Sequence, residues 1–127
     1  MGIVFSLKKE HKEMYKKLDM LERSINKKID YLRLSKLFRD FQNLWNTHEE
    51  AEEFVFHVFV KDKRAIEKMS FDHKSLRGHR KVLNDFIASG NEHKIRVALD
   101  TDGRMLIDKL KRHMKEEDKI FERITQK

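Results

Sequence analysis

Apolar residues recur at alternating spacings of four and three along most of this chain, which is the pattern of helices that bury one face. The first such stripe consists of Leu7, His11, Met14, Leu18, Leu21 and Ile25. The sequence contains no proline and only four glycines, so little in it could punctuate a fold of many strands. These features predict an all-α protein.

Four helices account for the pattern. Their predicted bounds are Ser6–Lys28, Asp30–Lys61, Ser70–Ala88 and Glu92–Thr125. Ser6 and Ser70 are candidate N-caps, and Lys61–Met69 is predicted to be an aperiodic connection. Ser89-Gly90-Asn91 is typical of a helix stop. Short connections between long helices predict an up-down-up-down four-helix bundle, formed as a single domain by residues 1–127.

The three later helices carry polar residues on their predicted buried faces. The predicted stripes are Leu34, Leu37, Phe41, Leu44, His48, Glu52, Val55 and Phe59; then Leu76, His79, Leu83 and Phe86; then Leu99, Gly103, Leu106, Leu110, His113, Glu117, Ile120 and Ile124. Gly103 is expected to weaken the last helix locally or to let a neighbouring backbone come close.

Composition limits the chemistry. With no cysteine, any metal must be bound by histidine and carboxylate side chains. No apolar stretch is long enough to cross a membrane, and a cytoplasmic location is expected. The net charge of +7 is distributed among interleaved acids and bases with no nucleic-acid-binding module. Neither a nucleic acid nor a membrane is expected as a partner, and an acidic protein is one candidate.

One pattern occurs twice. His48 to Phe56 and His113 to Phe121 both read H-x-x-x-E-[ED]-x-[VI]-F, with an offset of 65 residues. Upstream, each half has one further histidine on its predicted buried face, His11 and His79. Residues four apart lie on one face of a helix, so each histidine–glutamate pair should point into the core.

Buried carboxylates between apolar layers cost several kcal/mol unless something compensates their charge. Two divalent metal ions, held by the histidines and bridged by Glu52 and Glu117, would satisfy the whole set. Imidazole with carboxylate suits iron better than calcium or magnesium. A polar network without metal is the structural alternative.

These motifs resemble the hemerythrin-like, or HHE cation-binding, domains over almost the whole chain, from His11 to Phe121. The resemblance implies two non-haem iron ions with an oxo or hydroxo bridge and an open position for O2 or a similar small ligand. Carried over by motif, the implied metal ligands are His11, His48, Glu52, His79, His113 and Glu117.

The chain departs from the oxygen-carrying members, which have H-x-x-x-H on the third helix. Ser75 stands four residues before His79, and Arg77 stands four after His73. Glu49, beside His48, is the preferred candidate for an extra terminal ligand, with His73 as the alternative. Asp118 competes with Glu117 for the second bridge, and the repeat favours Glu117.

Three functions follow as hypotheses. The first is a di-iron protein that binds O2, NO or peroxide, with sensing or scavenging favoured over carriage because of its carboxylate-rich ligand set. The second is an iron-handling protein or one that repairs iron–sulfur clusters. The third is a structural bundle whose basic surface docks an acidic protein.

Overall fold

A computed structural model describes residues 2–28 and 30–125. Its helices are α1 (Gly2–Ile25), α2 (Tyr31–Phe59), α3 (Lys63–Ala88), α4 (Glu92–Ala98) and α5 (Arg104–Thr125), with a π-helical turn at Leu99–Gly103 between the last two. The backbone stays right-handed helical at Ala98, Leu99 and Arg104, so α4, the π turn and α5 form one continuous fourth helix of the bundle.

The helices pack antiparallel as the sequence predicts. Helix α1 lies against α2 and α5, and α3 lies against the same two helices. Helices α2 and α3 run antiparallel, as two side-chain hydrogen bonds between them show: Gln42 bonds Asn84, and Asn46, one turn further along α2, bonds Arg80, one turn earlier on α3. The predicted all-α four-helix bundle is confirmed. Within the described ranges, no helix combines the length and apolar character that crossing a membrane requires.

Two helix starts differ from the prediction. Helix α1 begins at Gly2 rather than at Ser6, because its buried stripe extends back to Val4. Helix α3 begins at Lys63, so the predicted connection over Lys61–Met69 is mostly helix. The N-cap of α3 is Asp62, whose carboxylate accepts the backbone N–H of Arg64 at 2.9 Å.

The observed ends of α1 and α2 lie within three residues of the predicted ends. Helix α1 ends at Ile25, and α2 ends at Phe59 with Asp30 as its N-cap. Arg96 of α4 donates to the backbone carbonyls of Ile25 and Lys27, which compensates unpaired groups at the end of α1. The fourth helix continues through Gly103 as the π turn, which agrees with the expected local weakening. A Cβ at Gly103 would meet its neighbours at ordinary van der Waals distances, so the alternative of a close backbone approach is not observed.

The buried face of α3 is rotated from the predicted one. It consists of Met69, His73, Leu76, Leu83 and Ile87. Phe86 is 36% exposed, and Arg80 fills the gap in the spacing between Leu76 and Leu83. The Arg80 guanidinium lies 4.6 Å from the ring centroid of Trp45 and donates to the Asn46 side chain. These two contacts stabilise its charge at the edge of the core.

The core consists of two apolar clusters. The larger includes Trp45 and Leu76 near the middle of the bundle, and the smaller includes Leu7 and Phe121. On every long helix, the buried polar residues stand in sequence between members of the two clusters. A single polar layer therefore crosses the bundle between two apolar ones.

Asp62→Ala should lower the free energy of unfolding by about 1 kcal/mol, because α3 loses its N-cap. Urea denaturation of the chelator-treated protein measures the effect. Ser70→Ala is the matched control: Ser70 is exposed within α3, where alanine is the better helix former, so no loss is expected. A larger loss for Ser70→Ala than for Asp62→Ala would contradict this start of the helix.

Candidate metal centre

The polar layer gathers histidines and glutamates from all four long helices. Its inward-facing members are His11, His48, Glu52, His73, His113 and Glu117, each at most 5% exposed. Helix α1 contributes one histidine, α2 a histidine and a glutamate, α3 one histidine, and α5 a histidine and a glutamate.

These six side chains form two groups that share both carboxylates. One group is His11 with His48, the other is His73 with His113, and Glu52 and Glu117 belong to both. In each group, one candidate ligand atom per residue lies within 4.8 Å of the others. Such sharing is the arrangement in which two carboxylates can bridge two ions.

Glu52 presents a different oxygen to each histidine pair. Its Oε2 lies 3.1 Å from the Nε2 of His11 and 3.0 Å from that of His48, whereas its Oε1 lies 3.4 Å from the Nε2 of His73. Glu117 mirrors this arrangement. Its Oε1 lies 3.3 Å from the Nε2 of His11, and its Oε2 lies 3.0 Å from that of His113.

The outer ring nitrogens of three histidines contact carboxylates of other helices. The Nδ1 of His11 lies 2.7 Å from Asp118, that of His48 lies 3.1 Å from Glu10, and that of His113 lies 3.0 Å from Asp72. The Nδ1 of His73 is 3.7 Å from Glu53. Carboxylates behind imidazoles orient the rings and raise their basicity as metal ligands, so all four Nε2 atoms are directed inward.

Comparison with known proteins agrees with this geometry. A family model described as the hemerythrin HHE cation-binding domain matches residues 2–124. The chain belongs to this family. Searches of curated proteins and of solved structures gave no significant match.

The polar layer of this hemerythrin-like chain contains buried polar atoms that lack a partner. Among the described residues, the Nε2 atoms of His48 and His113 and both oxygens of Glu117 are buried without a hydrogen-bond partner. His48 Nε2 and Glu52 Oε2 are 3.0 Å apart, yet their angles do not make a hydrogen bond. Unpaired buried donors and acceptors are costly, and imidazole with carboxylate is a donor set for transition metals. These groups could hold metal ions.

Charge compensation within the layer shifts the histidine pKa values upward. Burial lowers the pKa of His11, but the carboxylates of Asp118, Glu117 and Glu52 outweigh it and raise that pKa to about 11. Burial also lowers the pKa of His73, but the two shared glutamates outweigh this effect and raise that pKa to about 10. Burial would raise the pKa of Glu117, yet the facing imidazoles hold it well below the usual value. Without metal, protons on imidazoles provide the positive charge.

The hemerythrin-like layer does not include His79. Its Nδ1 lies 3.1 Å from Asp102 of the π turn and its Nε2 lies 3.0 Å from the Nζ of Lys109, and the side chain is partly exposed. His73 stands in its place. His73 and His79 are six positions apart, which places their side chains about 120° apart around a helix, so only one of the two can face inward.

A second internal repeat identifies His73. His11, Met14, Leu21 and Ile25 recur at an offset of 62 residues as His73, Leu76, Leu83 and Ile87, and an acid precedes each histidine. Only Arg80, which replaces the apolar Leu18, interrupts this correspondence. The pairing of His11 with His79 assumed in the sequence prediction corresponds to an offset of 68, which the structure does not support.

Glu49 is buried beside the layer and is held by Arg77. Its Oε1 accepts from the Arg77 Nε at 2.6 Å and also from Nη2, whereas its Oε2 has no partner among the described residues. Glu49 forms a third candidate group with Glu53 and His73.

Asp118 lies behind His11 on its Nδ1 side, while Glu117 faces both histidine pairs.

Without metal, stability should fall as pH rises. The unfolded chain loses its histidine protons near pH 6.5, whereas folded His11 and His73 keep theirs to about pH 11 and 10. Their contribution is complete below pH 6.5 and declines by up to about 1.4 kcal/mol per pH unit for each histidine above it. Below pH 4.5, protonation of Glu117 also reduces stability.

Urea denaturation of chelator-treated protein at several pH values between 6 and 9 measures this slope. His11→Ala should flatten it, and the exposed His57→Ala should leave it unchanged. A free energy of unfolding that rises with pH in the metal-free protein would contradict the charge balance described above.

Proposed function

We propose that the chain holds two non-haem iron ions, joined by an oxo or hydroxo bridge, and binds O2, NO or peroxide for sensing or scavenging rather than carriage. The observation that supports this most directly is the sharing of Glu52 and Glu117 between two histidine pairs. A single-ion site would need only one of the two pairs.

In this proposal, His11 and His48 hold one ion, His73 and His113 hold the other, and both glutamates bridge. Each ion would then have four protein ligands, which would leave room for a small ligand. When bound, the iron pair supplies redox chemistry and a binding position for that ligand.

Glu49 is the proposed extra terminal ligand on the His73 side. It is buried one residue after His48, and it belongs to a candidate group with His73. Arg77 competes for the same carboxylate, so the arginine and the ion would share or exchange it. An additional anionic ligand favours oxidised iron, which is the reason for ranking sensing or scavenging above reversible carriage.

The apolar clusters on both sides of the layer control what reaches it. Phe121 lies 5.8 Å from the His11 ring, between centroids, and packs edge-on against Phe56 at 6.0 Å. Trp45 lies one turn before His48 on the opposite side. Such walls admit small uncharged molecules more readily than ions and limit bulk water near the ligands.

His73→Ala should reduce bound iron from two ions per chain to at most one, because one histidine pair is broken. Elemental analysis of protein reconstituted with iron measures the ratio. His79→Ala is the matched control on the same helix and should retain two ions. Full iron in His73→Ala together with loss in His79→Ala would overturn the assignment.

The ultraviolet–visible spectrum of iron-loaded protein should change on addition of NO, O2 or hydrogen peroxide. His113→Ala should abolish that change, and His57→Ala should preserve it. Iron-loaded protein with no response to any of the three would refute the proposed function. Transfer of its iron to an apo acceptor protein would instead favour the iron-handling alternative.

A further inference from the structure

A groove of about 630 Å³ lies between α1 and α2, at the end where the two helices are connected. Its lining residues are Lys17, Met20, Arg23, Ser24, Lys27, Lys28, Asp30, Arg33, Leu34, Lys36, Leu37 and Asp40. They extend over about ten residues of each helix, which corresponds to a length of about 15 Å.

The lining is strongly basic. Six of its side chains are lysine or arginine and only two are aspartate. Among the described residues, the recorded ion pair within the groove is Arg33 with Asp30, at 3.6 Å. The lining thus has a net charge of +4, against +7 for the whole chain. Much of the positive charge of the protein is therefore concentrated here.

Apolar side chains lie among these charges. Met20 is 51% exposed, Leu37 is partly buried, and Leu34 is buried beneath them. The lining contains no aromatic side chain on which a nucleic-acid base could stack. A concave apolar strip with a basic border suits an amphipathic helix, which places apolar residues at spacings of three and four.

We propose that this groove binds an acidic amphipathic helix of a partner protein. Leucine-type side chains of that helix would cover Met20 and Leu37, and its glutamates or aspartates would face the lysines and arginines. A groove of this length fits about three turns of helix. The opposite charges would also accelerate association.

The groove is separate from the candidate metal centre. Lys17 stands six residues after His11 on α1, and Asp40 stands eight residues before His48 on α2, about 9 and 12 Å along the helix axes. Docking can therefore be tested with the iron-loaded or the metal-free protein, and its outcome does not depend on the proposed iron chemistry.

The probe is a synthetic helical peptide of about 14 residues, with leucine at spacings of three and four and glutamate elsewhere. Titration calorimetry with the full chain should give one saturable site, and amide shifts in NMR spectra should concentrate on the lining residues. The triple variant Lys27→Glu, Lys28→Glu, Lys36→Glu should weaken binding by about tenfold or more.

The matched control is Lys74→Glu, Lys81→Glu, Lys119→Glu, which changes the net charge equally at exposed positions outside the groove. It should bind the peptide within about threefold of the unmodified protein. Equal losses in both triple variants would show attraction by net charge alone and would overturn the proposal. Circular dichroism confirms that each variant is folded.

Three further results would also overturn it. These are equal affinity for a glutamate peptide without leucines, tighter binding of a short DNA duplex, and tighter binding of vesicles of phosphatidylserine and phosphatidylcholine. Met20→Glu should weaken binding of the leucine-containing peptide, because it removes an apolar contact and adds repulsion. Unchanged affinity in that variant would remove the apolar part of the argument.

Discussion

The structure depends on the compensation of charge within one buried layer. Four imidazoles and two carboxylates lie between two apolar clusters, where isolated charges would be prohibitively costly. Each carboxylate faces histidines of both pairs, and three of the imidazoles contact a second carboxylate behind them. The packing of the helices and the charge balance of the layer therefore depend on each other, because rotation of one helix would disrupt both.

The outer carboxylates connect the helices pairwise. Glu10 of α1 reaches His48 of α2, Asp72 of α3 reaches His113 of α5, and Asp118 of α5 reaches His11 of α1. Each of these acids is the immediate neighbour of an inward-facing residue on its own helix. A helix therefore contributes one group to the interior of the layer and another to the support of an adjacent helix.

Most of the fold and much of the centre could be predicted from sequence, because alternating spacings of four and three specify which helix face is buried. That logic brings His11, His48, Glu52, His113 and Glu117 together, as the structure does. It failed on α3, where Arg80 occupies a position that normally requires an apolar residue. The stacking of Arg80 on Trp45 is a tertiary contact that spacing cannot reveal. The start of α3 also differs from the prediction: Asp62 caps the helix, and Met69, in the segment predicted as a connection, lies on its buried face.

The sharing of carboxylates has a consequence for how the centre would fill. The first half of the chain supplies His11, His48 and Glu52, and the second half supplies His73, His113 and Glu117, yet neither half completes a group by itself. An ion held by one histidine pair would draw on both glutamates, and the same two carboxylates would have to serve an ion at the other pair. The occupancies of the two positions would therefore be coupled through Glu52 and Glu117.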